Sequence, residues 1–165
     1  MKAISKILLL LIACCGLLTA CEKGNGLKPY IVESEGAEAL PIYGAGAAFG
    51  WTATAIPADE TDPNLYIFEK ELTYNAENKL FKFQLSEGDW DKIYYLVPQV
   101  CDYRQEGADR DYAKLIEAGQ TYPMFKCSEM TGNLLDNFWG VPEDGSGTYV
   151  LTVNLKQQTL KVEKK

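Results

Sequence analysis

TYVLTVNLKQQTLKV, running from Thr148 to Val162, repeats its apolar residues with the two-residue period of a β-strand rather than the 3.6-residue period of a helix. Tyr149, Leu151, Val153 and Leu155 fall on one face, and Thr148, Val150, Thr152 and Asn154 on the other. Lys156-Gln157-Gln158 then turns the chain into Leu160 and Val162, and Glu143-Asp144-Gly145-Ser146-Gly147 supplies a turn beforehand. The passage is a terminal hairpin with one apolar face.

Upstream, Leu80 to Leu85 repeats the pattern: Phe81, Phe83 and Leu85 share one face, which places Lys82 opposite the core. Tyr66 to Leu72 and Ile93 to Val97 read as further strands. Glu69 and Glu71 share a face with Ile67, so the first of these needs a bulge or an edge position. Tyr94 and Tyr95 point to opposite faces, one packed and one shown. Short strands separated by turns from Leu40 onward predict an all-β sandwich or barrel rather than βαβ units. One helical insertion is expected over Asp109 to Ala118, where Tyr112, Leu115 and Ile116 stand at i, i+3 and i+4 and Gly119 offers a stop.

The N-terminus has a different grammar. Lys2 and Lys6 precede the uncharged run Ile7 to Leu18, the pattern of an export signal and too short to span a membrane stably. Leu18-Thr19-Ala20-Cys21 resembles the lipobox of bacterial lipoproteins, which implies cleavage before Cys21 and acylation of its thiol. Leu11-Ile12-Ala13-Cys14 is a weaker alternative, because it leaves a short apolar core. Residues 1–20 are thus expected to be a lipoprotein signal peptide, residues 21–38 a flexible tether, and residues 39–165 one β domain.

Composition narrows the function. Removing Lys2 and Lys6 leaves fourteen basic against twenty-three acidic residues, a net charge of −9 that disfavours nucleic acid and anionic membrane as partners. A neutral ligand is unaffected. The chain has no histidine, which removes the commonest general base and metal ligand. Once Cys21 is acylated, Cys101 and Cys127 remain as mature-chain thiols; two thiols in an exported protein most often pair, and two buried thiols are the alternative.

Three stretches taken together carry a family resemblance: Ile42-Tyr43-Gly44-Ala45-Gly46 leading to Gly50-Trp51, then Leu80-Phe81-Lys82-Phe83 followed by Trp90, then Phe138-Trp139-Gly140-Val141 leading to Gly147-Thr148-Tyr149 and the last hairpin. In order and spacing they resemble the carbohydrate-binding domains of the SusE and SusF outer-membrane lipoproteins of Bacteroidetes. The resemblance implies an immunoglobulin-like two-sheet β-sandwich, lipid anchoring at the outer membrane and the cell surface, with the periplasmic face left open, and binding of starch-like or other polysaccharide without cleavage. It also implies work beside an outer-membrane transporter in polysaccharide utilisation. Lys82 matches the family's binding lysine, and Phe68 stands where many members carry tryptophan.

A hexose offers an apolar C–H face to an aromatic ring and a rim of hydroxyls to polar side chains. Lys82, Trp90, Trp139, Phe68 and Trp51 are accordingly the candidate carbohydrate-binding residues. Each also has a plainer reading: Trp51 as loop packing, Trp139 as core, Lys82 as a solvated lysine. Trp90, between Asp89 and Asp91, is the better surface candidate. The acids Asp59, Glu60 and Asp62, and Glu143 with Asp144, read as turn formers rather than a glycosidase pair. No metal, cofactor or catalytic residue is assigned, and the chain is read as a non-catalytic oligosaccharide- or polysaccharide-binding module. The alternative is a structural or partner-binding lipoprotein without a glycan site.

Overall fold

The computed structural model describes residues 40–74, 80–87, 93–104, 112–128 and 137–165. The expected export signal, Cys21 and the expected tether lie outside these residues, as do Trp90, Asp89, Asp91 and residues 109–111. The described chain is all-β. Its strands are β1 Ile42–Ala45, β2 Thr54–Ile56, β3 Leu65–Leu72, β4 Leu80–Gln84, β5 Tyr95–Pro98, β6 Tyr103–Arg104, β7 Tyr112–Leu115, β8 Thr121–Cys127, β9 Asn137–Gly140, β10 Gly147–Asn154 and β11 Thr159–Lys164, with one 3-10 turn, η1, at Ala47–Phe49. They hydrogen-bond in the order β3-β10-β11-β8-β5-β4-β9-β7-β6, with β1 joining β2 and β4, and the sheet curls into a nearly barrel-shaped body. The described pairings are antiparallel except β7 with β9.

The terminal hairpin forms as its period requires. Tyr149, Leu151 and Val153 of β10 and Leu160 and Val162 of β11 are buried, and Leu151 stands opposite Val162 across the ladder. On β3 the choice of face follows from charge: Tyr66, Phe68 and Leu72 turn inward, while Ile67, Glu69 and Glu71 face water. A one-residue slip would bury two carboxylates, and that cost outweighs exposing one isoleucine. The strand ends the hydrogen-bonded order, so an edge position accommodates it.

β4 is covered on both sides. Phe81 and Phe83 enter the main core with Leu96, Met124, Trp139 and Leu151, whereas Leu80 joins a second cluster with Ala113 and Phe138. Lys82 does face away from Phe81 and Phe83, but that face is also packed, so the expected solvated lysine is buried, with 2 % of its surface exposed. Its Nζ lies 4.3 Å from the centre of the Tyr95 ring and 4.4 Å from that of Phe138.

Two expectations are corrected. Tyr112 to Leu115 is strand β7, between β6 and β9, and no α-helix occurs among the described residues. The i, i+3, i+4 triplet is too short to separate a helix from a strand, and sheet pairing with burial of Ala113 and Ile116 overrides propensity. Cys101 and Cys127 are both thiols rather than a disulfide. The register explains this: Cys127 sits opposite Tyr95, while Cys101 lies beyond the far end of β5, where Pro98 opposes Met124. Three strand residues alone span about 10 Å, more than a disulfide can bridge.

Candidate functional site

The five expected binding residues do not converge. Lys82 is on the outer face, Phe68 is half-buried inside the body with its ring 6.5 Å from Phe49 and 6.1 Å from Phe83, and Trp90 is outside the described residues. Trp139, opposite Phe81 in the β4–β9 ladder, points into the main core with 0 % of its surface exposed, so it and Lys82 lie on opposite faces of one sheet. Trp51 departs from its plainer reading. It is 69 % exposed, in a left-handed backbone conformation with φ of 61° that a bulky residue seldom adopts, and its N–H donates to the Gly46 carbonyl at 3.1 Å.

What the fold does assemble is a pocket of about 220 Å³ where β5, β7, β8 and β9 meet, lined by Pro98, Gln99, Val100, Lys114, Tyr122, Pro123 and Trp139. Buried Trp139 forms its base, and exposed Val100 and Gln99 its rim. The Tyr122 and Trp139 rings stand 5.5 Å apart with 53° between their planes, in the range of a favourable tilted aromatic pair.

Each wall is held in place by backbone. The parallel register sets Lys114 beside Trp139. Lys114 Nζ donates to Asp102 Oδ1 at 2.7 Å, and the Leu115 N–H donates to Asp102 Oδ2 at 2.8 Å, so Asp102 brackets β7 from outside. That bond to Asp102 raises the Lys114 pKa, with burial acting in the opposite direction. The Glu117 N–H donates to the Tyr122 hydroxyl at 2.7 Å and fixes the ring, while burial raises the pKa of the phenol. Asn137 Nδ2 donates to the Pro98 carbonyl at 2.8 Å. The Trp139 Nε1–H is buried with no hydrogen-bond partner among the described residues, a situation that costs about 1–3 kcal/mol.

Chemically, the pocket offers the Tyr122 ring backed by Trp139, three aliphatic or proline surfaces, and one cation at the side. Among the described residues no group of acids, cysteines or histidines could hold a metal. The acids at Asp59 to Asp62 form a turn as expected: Thr61 donates to Asp59 Oδ1 from its N–H at 2.9 Å and its hydroxyl at 2.6 Å, which lowers the Asp59 pKa, and the Asn64 N–H donates to Asp62 Oδ1 at 2.9 Å.

Sequence reasoning missed Lys114, Tyr122 and Asp102. Reading Asp109 to Ala118 as a helix hid Lys114. A two-residue period through Tyr122, Met124 and Lys126 was the available signal for Tyr122. The chain matches no protein-family model, no curated protein and no solved structure.

Proposed function

We propose that this protein is a non-catalytic carbohydrate-binding lipoprotein, anchored through lipid on Cys21 at the outer membrane and holding glycan for an uptake system. The observation that carries the binding reading is the pocket in which the half-buried Tyr122 ring stands beside Lys114, with exposed Pro123 and Val100 near it. An aromatic surface next to a polar group is what a pyranose with its apolar face and hydroxyl rim requires. The net charge of −9 after signal removal leaves a neutral polysaccharide unopposed. Anchoring rests on the lysine-led apolar run and the Leu18-Thr19-Ala20-Cys21 sequence; more than one acyl chain is needed for stable attachment, and lipoprotein modification supplies several.

The finer architecture we infer is an immunoglobulin-like sandwich. It is supported by β8, whose first half pairs with β11 and second half with β5, so that one strand serves two sheets. The Tyr149 hydroxyl donates to the Gly145 carbonyl four residues upstream, an arrangement that resembles the tyrosine corner of such sandwiches.

Affinity gel electrophoresis against a panel of polysaccharides tests the function. The wild type should be retarded by at least one glycan, Tyr122→Ala should migrate freely, and Trp51→Ala and Lys82→Ala should remain retarded. Complete burial of Lys82 and Trp139 favours the second reading, a partner-binding lipoprotein. Free migration of the wild type through every glycan would remove the glycan reading.

A further inference from the structure

Resting on the carbohydrate reading, we propose that the pocket receives one terminal pyranose, the end of a chain or the tip of a branch, so that this protein recognises glycan ends and not internal runs. Size is the first observation. About 220 Å³ lies below the roughly 300 to 1,000 Å³ of sites that enclose drug-sized ligands, which leaves space for one ring. The wall is drawn from separate strands, with Pro98, Gln99 and Val100 at the end of β5, Lys114 on β7, and Tyr122 and Pro123 on β8. A ring inside a chain carries linkages at two positions, and both would have to clear this wall. A terminal ring carries one, which leaves through the mouth.

The bracing of the wall is the second observation. The Tyr122 hydroxyl accepts the Glu117 N–H at 2.7 Å, the Pro98 carbonyl accepts Asn137 Nδ2 at 2.8 Å, and Lys114 Nζ donates to Asp102 at 2.7 Å. Pro98 and Pro123 add fixed φ angles. Widening the pocket into a groove for several rings would break these bonds, so its size is set before a glycan arrives.

Third, a groove that follows a polymer needs a stacking surface for successive sugars, and this pocket has one. Half-buried Tyr122 is the ring at its surface, backed by buried Trp139. Among the described residues, the exposed rings of Trp51 and Tyr94 stand outside its lining, and the rim is Gln99, Val100 and Pro123. The polar groups follow the same layout: the remaining protons of Lys114 at the side and the amide of Gln99 at the rim face the hydroxyls of one ring.

Competition in affinity gels tests the proposal, on the full-length protein in a detergent with no sugar headgroup. The competitors are oligosaccharides of two, four and eight residues, cut by partial acid hydrolysis from each polysaccharide of the panel. For a polysaccharide that retards the wild type, all three lengths should compete with equal strength per mole of chain. Competition that rises threefold or more from two residues to eight would overturn the inference, because each added internal ring would then be adding a binding site or a contact. Val100→Arg, at an exposed rim position outside the core, should migrate as freely as Tyr122→Ala. Retardation that survives both substitutions would place the glycan elsewhere and overturn the inference as well. Length-dependent competition with Tyr122-dependent retardation leaves carbohydrate binding standing and removes only the terminal-ring assignment; a wild type that no polysaccharide retards removes both.

Discussion

Lys82 shows how one side chain can carry the right position and the wrong environment. Alternation along β4 sets it opposite Phe81 and Phe83, and only the packing of Tyr95 and Phe138 against that second face makes it a buried cation held over two rings. A desolvated cation–π contact is worth about 2 kcal/mol, and removing the stem leaves a cavity besides. Lys82→Ala should therefore lower stability by about 2–4 kcal/mol in urea titrations while leaving glycan retardation of the folded protein unchanged. Cys101 makes the matching case for a thiol. Burial, with the Asp102 carboxylate adding to it, pushes its pKa from about 9 to about 11. Iodoacetamide should therefore label it slowly at pH 8 and rapidly only toward pH 11. Because the folded state holds that proton more tightly than the unfolded chain, its contribution to stability is full below about pH 9 and is lost as pH rises toward 11.

Among the elements, β4, β10 and β11 were legible because each carries its apolar residues on alternate positions over five or more residues. β7 was not, since four residues of strand pairing in parallel with β9 leave no local periodic trace. The pocket was unreadable for the same reason: Lys114, Tyr122 and Trp139 come from three strands and meet only through register. The turn after β1 adds a sharper constraint. Gly46 has φ of 97°, and a side-chain carbon there would stand 2.9 Å from the Leu80 carbonyl oxygen on β4. Gly46→Ala should cost about 1–3 kcal/mol, read as a lowered denaturation midpoint at unchanged slope. Gly119, whose added carbon would meet nothing within 4 Å, should cost less on the same substitution because only its φ of 84° resists.

On the scale of the whole molecule, the proposal joins a leader, a tether and a β body into a lipid-anchored glycan receptor. Cys21→Ala should abolish incorporation of labelled palmitate and shift the protein out of the membrane fraction, whereas a leader without lipid attachment would leave fractionation unchanged. The body's role depends on the pocket beside Tyr122 receiving a sugar. The indole region of a ¹H–¹⁵N spectrum tests this most directly, because its signals report each tryptophan N–H separately and Trp139→Phe assigns the decisive one. On titration with a glycan that retards the protein, the N–H resonance of Trp139, packed against the Tyr122 ring, should shift while that of exposed Trp51 stays in place. A Trp139 resonance that holds still at saturating glycan, with Trp51 moving instead, would contradict the account.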